Sequence, residues 1–370
     1  MIVQDGVARQ LSISLNLYAL YQMSTMAISN LLPLLDMFLI TMFVHTDCTS
    51  QLKDPLFEQF SEFAVRYKKE YLTNSSEFMK RFEIFKDNIV NAKYLNLANN
   101  ASHQAVYGVN KFADLTPEEF RARFLSGFKR NGCLSTKLSS SIIHRGYRNL
   151  RDLPQKVDWR EKGVLTGIRD QGACGACWSF SIVETMESMF AIQYQTSNIS
   201  VPQLSVQQLI DCDHNNSGCK GGDICEAAKW SSMNGVVNET LYPLTDRAET
   251  CKPVPSVPRV FVKDYFCDSL VGKETEMLQL LAEHGPVAVA VDATTWHNYI
   301  GGIIQFHCSQ NINHAVQIVG YDLTGDVPYY IIRNSWGSDF GDHGYMYIKY
   351  GDNLCGLAVE VSHLTVTHYQ

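Results

Sequence analysis

The chain is poor in the features that several protein classes require. Its 31 Lys and Arg are outnumbered by 38 Asp and Glu, a net of −7 over 370 residues. Phosphate binding is driven by basic clusters, so the balance argues against a nucleic-acid partner. Glycine (24) and proline (11) are too few for a collagen-like or low-complexity chain, and a hydrophobic share of 45 % is too high for disorder. The stretch Leu31 to Val44 is mostly apolar, densest from Met37 to Val44, and is broken by Pro33 and Asp36. It falls short of the roughly 20 residues that span a bilayer and matches the core of a signal peptide. Cysteine is neither dense enough for a disulfide mini-protein nor as rare as in an ordinary cytosolic enzyme: there are 11, about 3 %. The number is odd, so at least one thiol has no partner within the chain.

Residues 1–48 therefore read as a signal peptide or N-terminal extension, with Met23 and Met26 as further candidate starts and a signal anchor as the alternative. Sequons at Asn74, Asn100, Asn198, Asn215 and Asn238 agree with passage through the secretory pathway. The charge is unevenly spread. Residues 49–150 carry 16 basic and 10 acidic side chains, whereas residues 151–370 carry 14 and 25. A basic segment joined to an acidic one can dock on it, with an attraction that weakens as carboxylates protonate; two soluble domains of different composition would give the same split.

Residues 54–126 read as helical. Asp54-Pro55 opens one helix, and a second starts near Ser76 with Phe78, Phe82, Phe85, Ile89 and Ala92 on one stripe. Thr116-Pro117-Glu118-Glu119 has the form of a capping box before a short third. Residues 130–152 lose periodicity and read as an exposed linker, open to proteolysis. An apolar helix is expected after Cys177, followed by Gly- and Cys-rich loops. From Phe261 alternating strands dominate, at Val287–Val291, Ala315–Val319, Tyr329–Arg333 and Tyr345–Lys349. Helices first and antiparallel strands later indicate an α+β chain.

The chemistry concentrates in Gln171-Gly172-Ala173-Cys174-Gly175-Ala176-Cys177-Trp178-Ser179-Phe180. A Cys-x-x-Cys pair also serves zinc and redox sites, but no further zinc ligands stand at finger-like spacing and the context is poor for a βαβ redox unit. Asn313-His314-Ala315 follows 137 residues after Cys177, and Asn334-Ser335-Trp336-Gly337 follows 157 after it. A thiol that titrates near about 8.5 is favoured as thiolate at a helix N-terminus beside an imidazolium. Cys177 sits just before the expected helix. His314 can supply the imidazolium, Asn334 can fix its tautomer, and Trp336 can shield that bond.

These segments, in this order, resemble the papain family of cysteine peptidases. The resemblance implies a helical left domain, an antiparallel β-barrel right domain and an active-site cleft between them. It implies Cys177 as nucleophile, His314 as acid and base, Asn334 as orienter, and an oxyanion site made by the Gln171 amide and the Cys177 N–H. Upstream, Glu77, Arg81, Phe85, Asn88 and Asn96, then Gly108-Val109-Asn110-Lys111-Phe112-Ala113-Asp114, are similar to the family's inhibitory propeptide, with Ala92 standing where isoleucine is usual. Asp158-Trp159-Arg160 resembles the start of the mature enzyme. The division is then 1–48, a propeptide over 49–152, and a peptidase domain over 153–370. Val206-Gln207-Gln208, Asp292-Ala293 with Trp296, Tyr299 to Gln305, Asp322 to Gly325 and Arg333 to Ser338 narrow the likeness to one branch of the family.

The same resemblance implies bridges Cys174–Cys219, Cys212–Cys251 and Cys308–Cys355. Cys48 and Cys133 fall where processing would remove them, and Cys225 with Cys267 form either a fourth bridge or two buried thiols. Gly221-Gly222 would pair with an extended peptide. Asn313 and Trp336 would flank the cleft, and Ile224, Cys225, Ala290 and Ile312 would line a side-chain pocket with Glu360 at its floor, unless Glu360 points to solvent. No metal or other cofactor is implied. The partners are protein or peptide substrates, the chain's own propeptide and cystatin-like inhibitors, with the enzyme monomeric and lysosomal or secreted. The basic segment should run in reverse through the acidic domain's cleft and block Cys177. Acidification should loosen it and allow cleavage within residues 130–154.

Overall fold

A computed structural model describes residues 54–97, 103–125, 152–194, 201–254 and 256–369. The expectations for residues 1–48, Cys133 and the linker up to residue 151 lie outside these, as do the sequons at Asn100 and Asn198. Helix α1 (Pro55–Arg66) begins where Asp54 Oδ1 accepts the Leu56 N–H at 2.9 Å.

Helix α2 (Ser75–Leu97) buries Arg81, Phe82, Phe85, Asn88 and Ala92. Two of these are polar, and both are satisfied. Arg81 donates to Glu77 Oε1 (2.7 Å) and to both Glu119 carboxylate oxygens (2.6 and 2.9 Å). Asn88 Nδ2 donates to the Ala113 and Leu115 carbonyls, each at 2.8 Å. Strand β1 (Val106–Tyr107) is held to α2 by Asn96, which donates to the Tyr107 carbonyl and accepts its N–H. Helix α3 (Pro117–Phe124) starts with the expected box: Thr116 Oγ1 accepts the Glu119 N–H, and Glu119 accepts the Thr116 N–H.

The remainder packs helices against a sheet. Strand β2 is Lys156–Asp158 and helix α4 is Cys177–Tyr194. The Gly- and Cys-rich stretch expected to be loop contains helices α5 (Val206–Cys212) and α6 (Ile224–Asn234). Their signals are the caps: Ser205 accepts the Gln208 N–H, and Asp223 accepts those of Cys225 and Glu226. Strand β3 (Arg259–Asp268), helix α7 (Glu274–Glu283) and β4 (Val287–Val291) follow. Then come β5 (Tyr299–Gly301), β6 (Ile303–Ile304), β7 (His314–Asp322), β8 (Tyr329–Arg333), β9 (Tyr345–Lys349) and β10 (Val361–Tyr369).

The larger sheet runs β3-β10-β4-β7-β8-β9-β6, with β2 also on β7; β5 pairs with β1 instead. Its pairs are antiparallel except β6 with β9. The strand order is an open path, and no closed barrel is found among the described residues. Along one edge, strand β7 pairs β4 before and β2 after the point where its register with β8 shifts, between Ile318 and Gly320. Gly320 is required there, since a Cβ would lie 2.1 Å from the Val157 carbonyl oxygen.

Strand β4 reads as a continuous apolar run because both faces are covered. Val287, Val289 and Val291 face a core shared with Trp296, Trp336 and α7, while Ala288 faces a second core built on α4, α5 and α6. The first core also takes in Phe112, Phe120 and Leu125 from the α3 region. Bridges join Cys174–Cys219, Cys212–Cys251, Cys225–Cys267 and Cys308–Cys355, and Cys177 is outside them. Denatured, unreduced protein from residue 153 onward should therefore titrate with one thiol; three would exclude the bridge between α6 and β3.

Candidate active site

Cys177 is the first residue of α4 and is wholly buried, as is most of the helix through Ala191. The loop before it is pinned by the Cys174–Cys219 bridge and by the Gly175 N–H, which donates to the Cys219 carbonyl at 2.9 Å. Cys177 thus sits where the helix dipole favours negative charge.

His314 opens β7 and Asn334 follows β8, so one antiparallel ladder delivers both. His314 Nε2 donates to Asn334 Oδ1 at 2.9 Å, and the same oxygen accepts the Ser335 N–H at 2.8 Å. This fixes the Nε2–H tautomer, and Nδ1 makes no hydrogen bond among the described residues. The ring stacks on Trp336 (centroids 4.7 Å apart) and meets the edge of Trp296 at 5.9 Å. Burial pulls the His314 imidazole down to about 4, with the Asn334 bond opposing.

Gln171 is positioned from both ends. Ser335 Oγ donates to Gln171 Oε1 at 2.7 Å, and the Gln171 N–H donates to the Ser335 carbonyl at 2.9 Å. Gln171 Nε2 then donates to the Cys174 carbonyl (2.9 Å) and to the carbonyl of Phe124 (3.2 Å), at the end of α3. Ser335 was not singled out in the sequence. Its only signal is its place between Asn334 and Trp336.

The segment from β1 to α3 lies over this centre. Strand β1 pairs with β5, and Asn110 Nδ2 donates to the His297 and Tyr299 carbonyls at 2.9 and 3.0 Å. His297 Nε2 donates to the Phe112 carbonyl at 2.8 Å, and burial holds that imidazole below its ordinary value. The Phe112 and Phe120 rings meet Trp336 edge-on, at 5.5 and 5.3 Å. Lys111 Nζ sits 2.5 Å from Asp170 and 3.4 Å from Asp339. Lys111 carries the ion pairs found between this segment and residues beyond 152 among the described residues. The contact is therefore mostly aromatic and backbone in kind, less a matter of charge than the split of composition suggests.

The expected peptide-binding residues fall in two groups. Gly221 has φ +116°, and a Cβ on Gly222 would lie 2.6 Å from the Trp178 ring. Asn313 donates to Asp292 and Thr294 and lines an open cavity of about 610 Å³ with Glu118, Arg121, Leu125 and Lys220. Cys225, Ala290 and Glu360 are gathered together. The Ala290 N–H donates to the Glu360 carbonyl at 3.1 Å, and Cys225 Sγ touches Glu360 Oε1 at 3.6 Å, a contact without a proton because the sulfur is bridged. Glu360 is 5 % exposed, so it does not face solvent. Ile224 is buried at the start of α6, whereas half-buried Ile312 lies beside Gly356.

The descriptions Papain family cysteine protease and Cathepsin propeptide inhibitor domain match residues 153–365 and 60–120. Cathepsin O of Homo sapiens is 40 % identical over 287 residues, 76 % of this chain and 87 % of that protein. Cathepsin O of Mus musculus is 42 % identical over 276 residues, covering 73 % and 85 %. Among solved structures, a recombinant stem bromelain precursor superposes with a TM-score of 0.72 at 31 % identity, covering 84 % of this chain and 99 % of that one. The digestive procathepsin L 3 of Tenebrio molitor larval midgut gives 0.71 at 31 %, with coverage of 84 % and 99 %. With an α+β fold like theirs and a propeptide inhibitor domain ahead of it, this chain is a cysteine peptidase zymogen that belongs to the papain family.

Proposed function

We propose that Cys177 and His314 are the reacting pair of an endopeptidase, released when a propeptide spanning residues 49–152 is cut away from a domain spanning 153–370. The observation that carries this is the His314–Asn334 hydrogen bond beneath Trp336, with Cys177 opening α4. The thiolate of Cys177 attacks the scissile carbonyl carbon, and the C=O electron pair moves to oxygen. Gln171 Nε2 and the Cys177 N–H receive that oxyanion. Collapse breaks the C–N bond, the amine takes its proton from the His314 imidazolium, and a thioester remains. His314 then deprotonates water as its oxygen attacks the thioester carbon, and collapse breaks the C–S bond, releasing the carboxylic acid and returning the Cys177 thiolate beside the imidazolium.

The Phe124 carbonyl on Gln171 Nε2 stands in for a substrate oxygen, which supports self-inhibition by occupancy. In this covered form the imidazole is buried and neutral, so the ion pair belongs to the uncovered enzyme. The pocket with Glu360 at its floor would take an apolar side chain or pair with a substrate Arg. Lysosomal or extracellular protein breakdown as a monomer, subject to cystatin-like inhibitors, is the setting we assign.

Labelling by a thiol-directed, substrate-like inactivator should vanish in Cys177→Ser; persistent labelling would contradict the assignment. Gln171→Ala should lower kcat by about a hundredfold, the scale of one oxyanion donor, and unchanged kcat would count against its role. Glu360→Ala should reduce the preference for Arg over Leu at that subsite, and an unaltered preference would sink the pocket idea.

Acid should also loosen the covered form. His314 is held at about 4 against an ordinary 6.5, so between those values the unfolded chain takes up a proton that the folded one refuses. Stability therefore falls as pH drops through that window, by up to about 3 kcal/mol. Denaturation of the Cys177→Ser proform at pH 7 and near 4 should show this loss, and His314→Gln in the same background should show less of it. Equal slopes in both would contradict the account.

A further inference from the structure

Beneath the cleft lies a carboxyl that the chemistry above does not use. Glu184 stands on α4 seven residues after Cys177 and is 1 % exposed. Its Oε1 lies 3.4 Å from Arg333 Nη2 and makes no hydrogen bond among the described residues. Arg333, wholly buried, immediately precedes Asn334. Its guanidinium also donates to Thr166 Oγ1 (3.1 Å), the Gly167 carbonyl (2.8 Å) and Gln317 Oε1 (3.4 Å).

Gln317 lies three residues after His314 and donates back to α4, at Ser188 Oγ (3.0 Å) and Thr185 Oγ1 (3.4 Å). Arg169, two residues before Gln171, pairs with Glu187 on α4. Cys177 and His314 thus share an element with members of one buried cluster, joined through Thr166 between Arg333 and Glu187, while Asn334 and Gln171 lie one and two residues from others. The titratable groups acting on Glu184 are Arg333 from β8, Arg169 from the loop before Gln171, Glu187 from α4 and Tyr345 from β9. Glu239 reaches Arg169 at 4.0 Å from a more exposed position. Burial raises the Glu184 carboxyl to about 7, against the pull of Arg333 and then Arg169. Its charge therefore changes near neutrality, and with it the strength of its pairing with Arg333.

From this placement we propose that Glu184 is a positioning residue for the catalytic pair. Its carboxylate, paired with Arg333, holds the Asn334 segment and the His314 ring in register with the Cys177 helix. The proposal rests on the assignment of Cys177 and His314. It is tested on the processed enzyme by Glu184→Gln, an uncharged isostere, and Glu184→Asp. The readouts are kcat and KM on a peptide substrate, and the inactivation rate with an uncharged peptidyl thiol reagent from acid to alkaline pH.

In the native enzyme that rate should rise through a step near neutral pH as Glu184 ionises. Glu184→Gln should lose the step and about tenfold in kcat, with KM changed by less than about twofold. Glu184→Asp should keep the step. A step that persists in Glu184→Gln, or a raised KM at unchanged kcat, would overturn the proposal, since a merely structural residue lowers yield without removing a titration. Should Glu184→Gln not fold, Glu184→Asp decides: its step must shift in midpoint, and an unshifted one overturns the proposal. Loss of labelling in Cys177→Ser is independent of either result, so this inference can fail while the catalytic assignment stands.

Discussion

The rest of the molecule depends on Trp336. Its ring covers the His314–Asn334 hydrogen bond from one side and takes the edges of Phe112 and Phe120 on another. A hydrogen bond that must hold one tautomer is strongest where water is excluded. The same exclusion makes the indole an apolar platform, and the propeptide uses it. Shielding the His314–Asn334 bond and seating the propeptide are thus two uses of one buried surface. Substituting Trp336 would disturb both at once.

That sharing explains why the inhibitory contact is not chiefly electrostatic. Lys111 reaches Asp170 and Asp339, which are 45 % and 44 % exposed. Pairs of that exposure contribute about 1 kcal/mol or less each. Aromatic burial, by contrast, contributes roughly 1.5–3 kcal/mol for each large apolar side chain. Charge therefore tunes an attachment made by Phe112, Phe120, the β1–β5 pairing and the Asn110 hydrogen bonds. The buried His297, which donates to the Phe112 carbonyl, adds a second reason for acid to weaken it.

Much of this was legible in the sequence because the elements that deliver the site are locally consistent. Strands β4, β8 and β9 occupy the spans that alternation marks, and the Thr116 box and the start of α4 fall where their residues place them. Helices α5 and α6 were hidden because Gly218, Gly221 and Gly222 and the cysteines around them mask short amphipathic segments, although Ser205 and Asp223 announce their caps. Arg81 and Asn88 lie on the buried face of α2 because their partners sit in residues 113–119, distant in sequence. Arg81 and Asn88 were marked by their motif, but the polar cluster at Glu184 and Arg333 was illegible, because buried charge has no periodicity and is explained only by its partners. Ser335 and Phe124 act on Gln171 across long sequence separations, so even Ser335, which stands within the Asn334–Gly337 motif, gave no sign of that partner.

The central claim is that Cys177 is silenced by a propeptide whose Phe124 carbonyl occupies the Gln171 amide while its aromatic rings cover Trp336. Its most direct test is the alkylation rate of Cys177 by a small uncharged reagent, measured on the intact proform and again after the propeptide is removed. The account predicts slower reaction in the proform by at least about a hundredfold, equivalent to roughly 3 kcal/mol of opening. Equal rates in the two forms would contradict it.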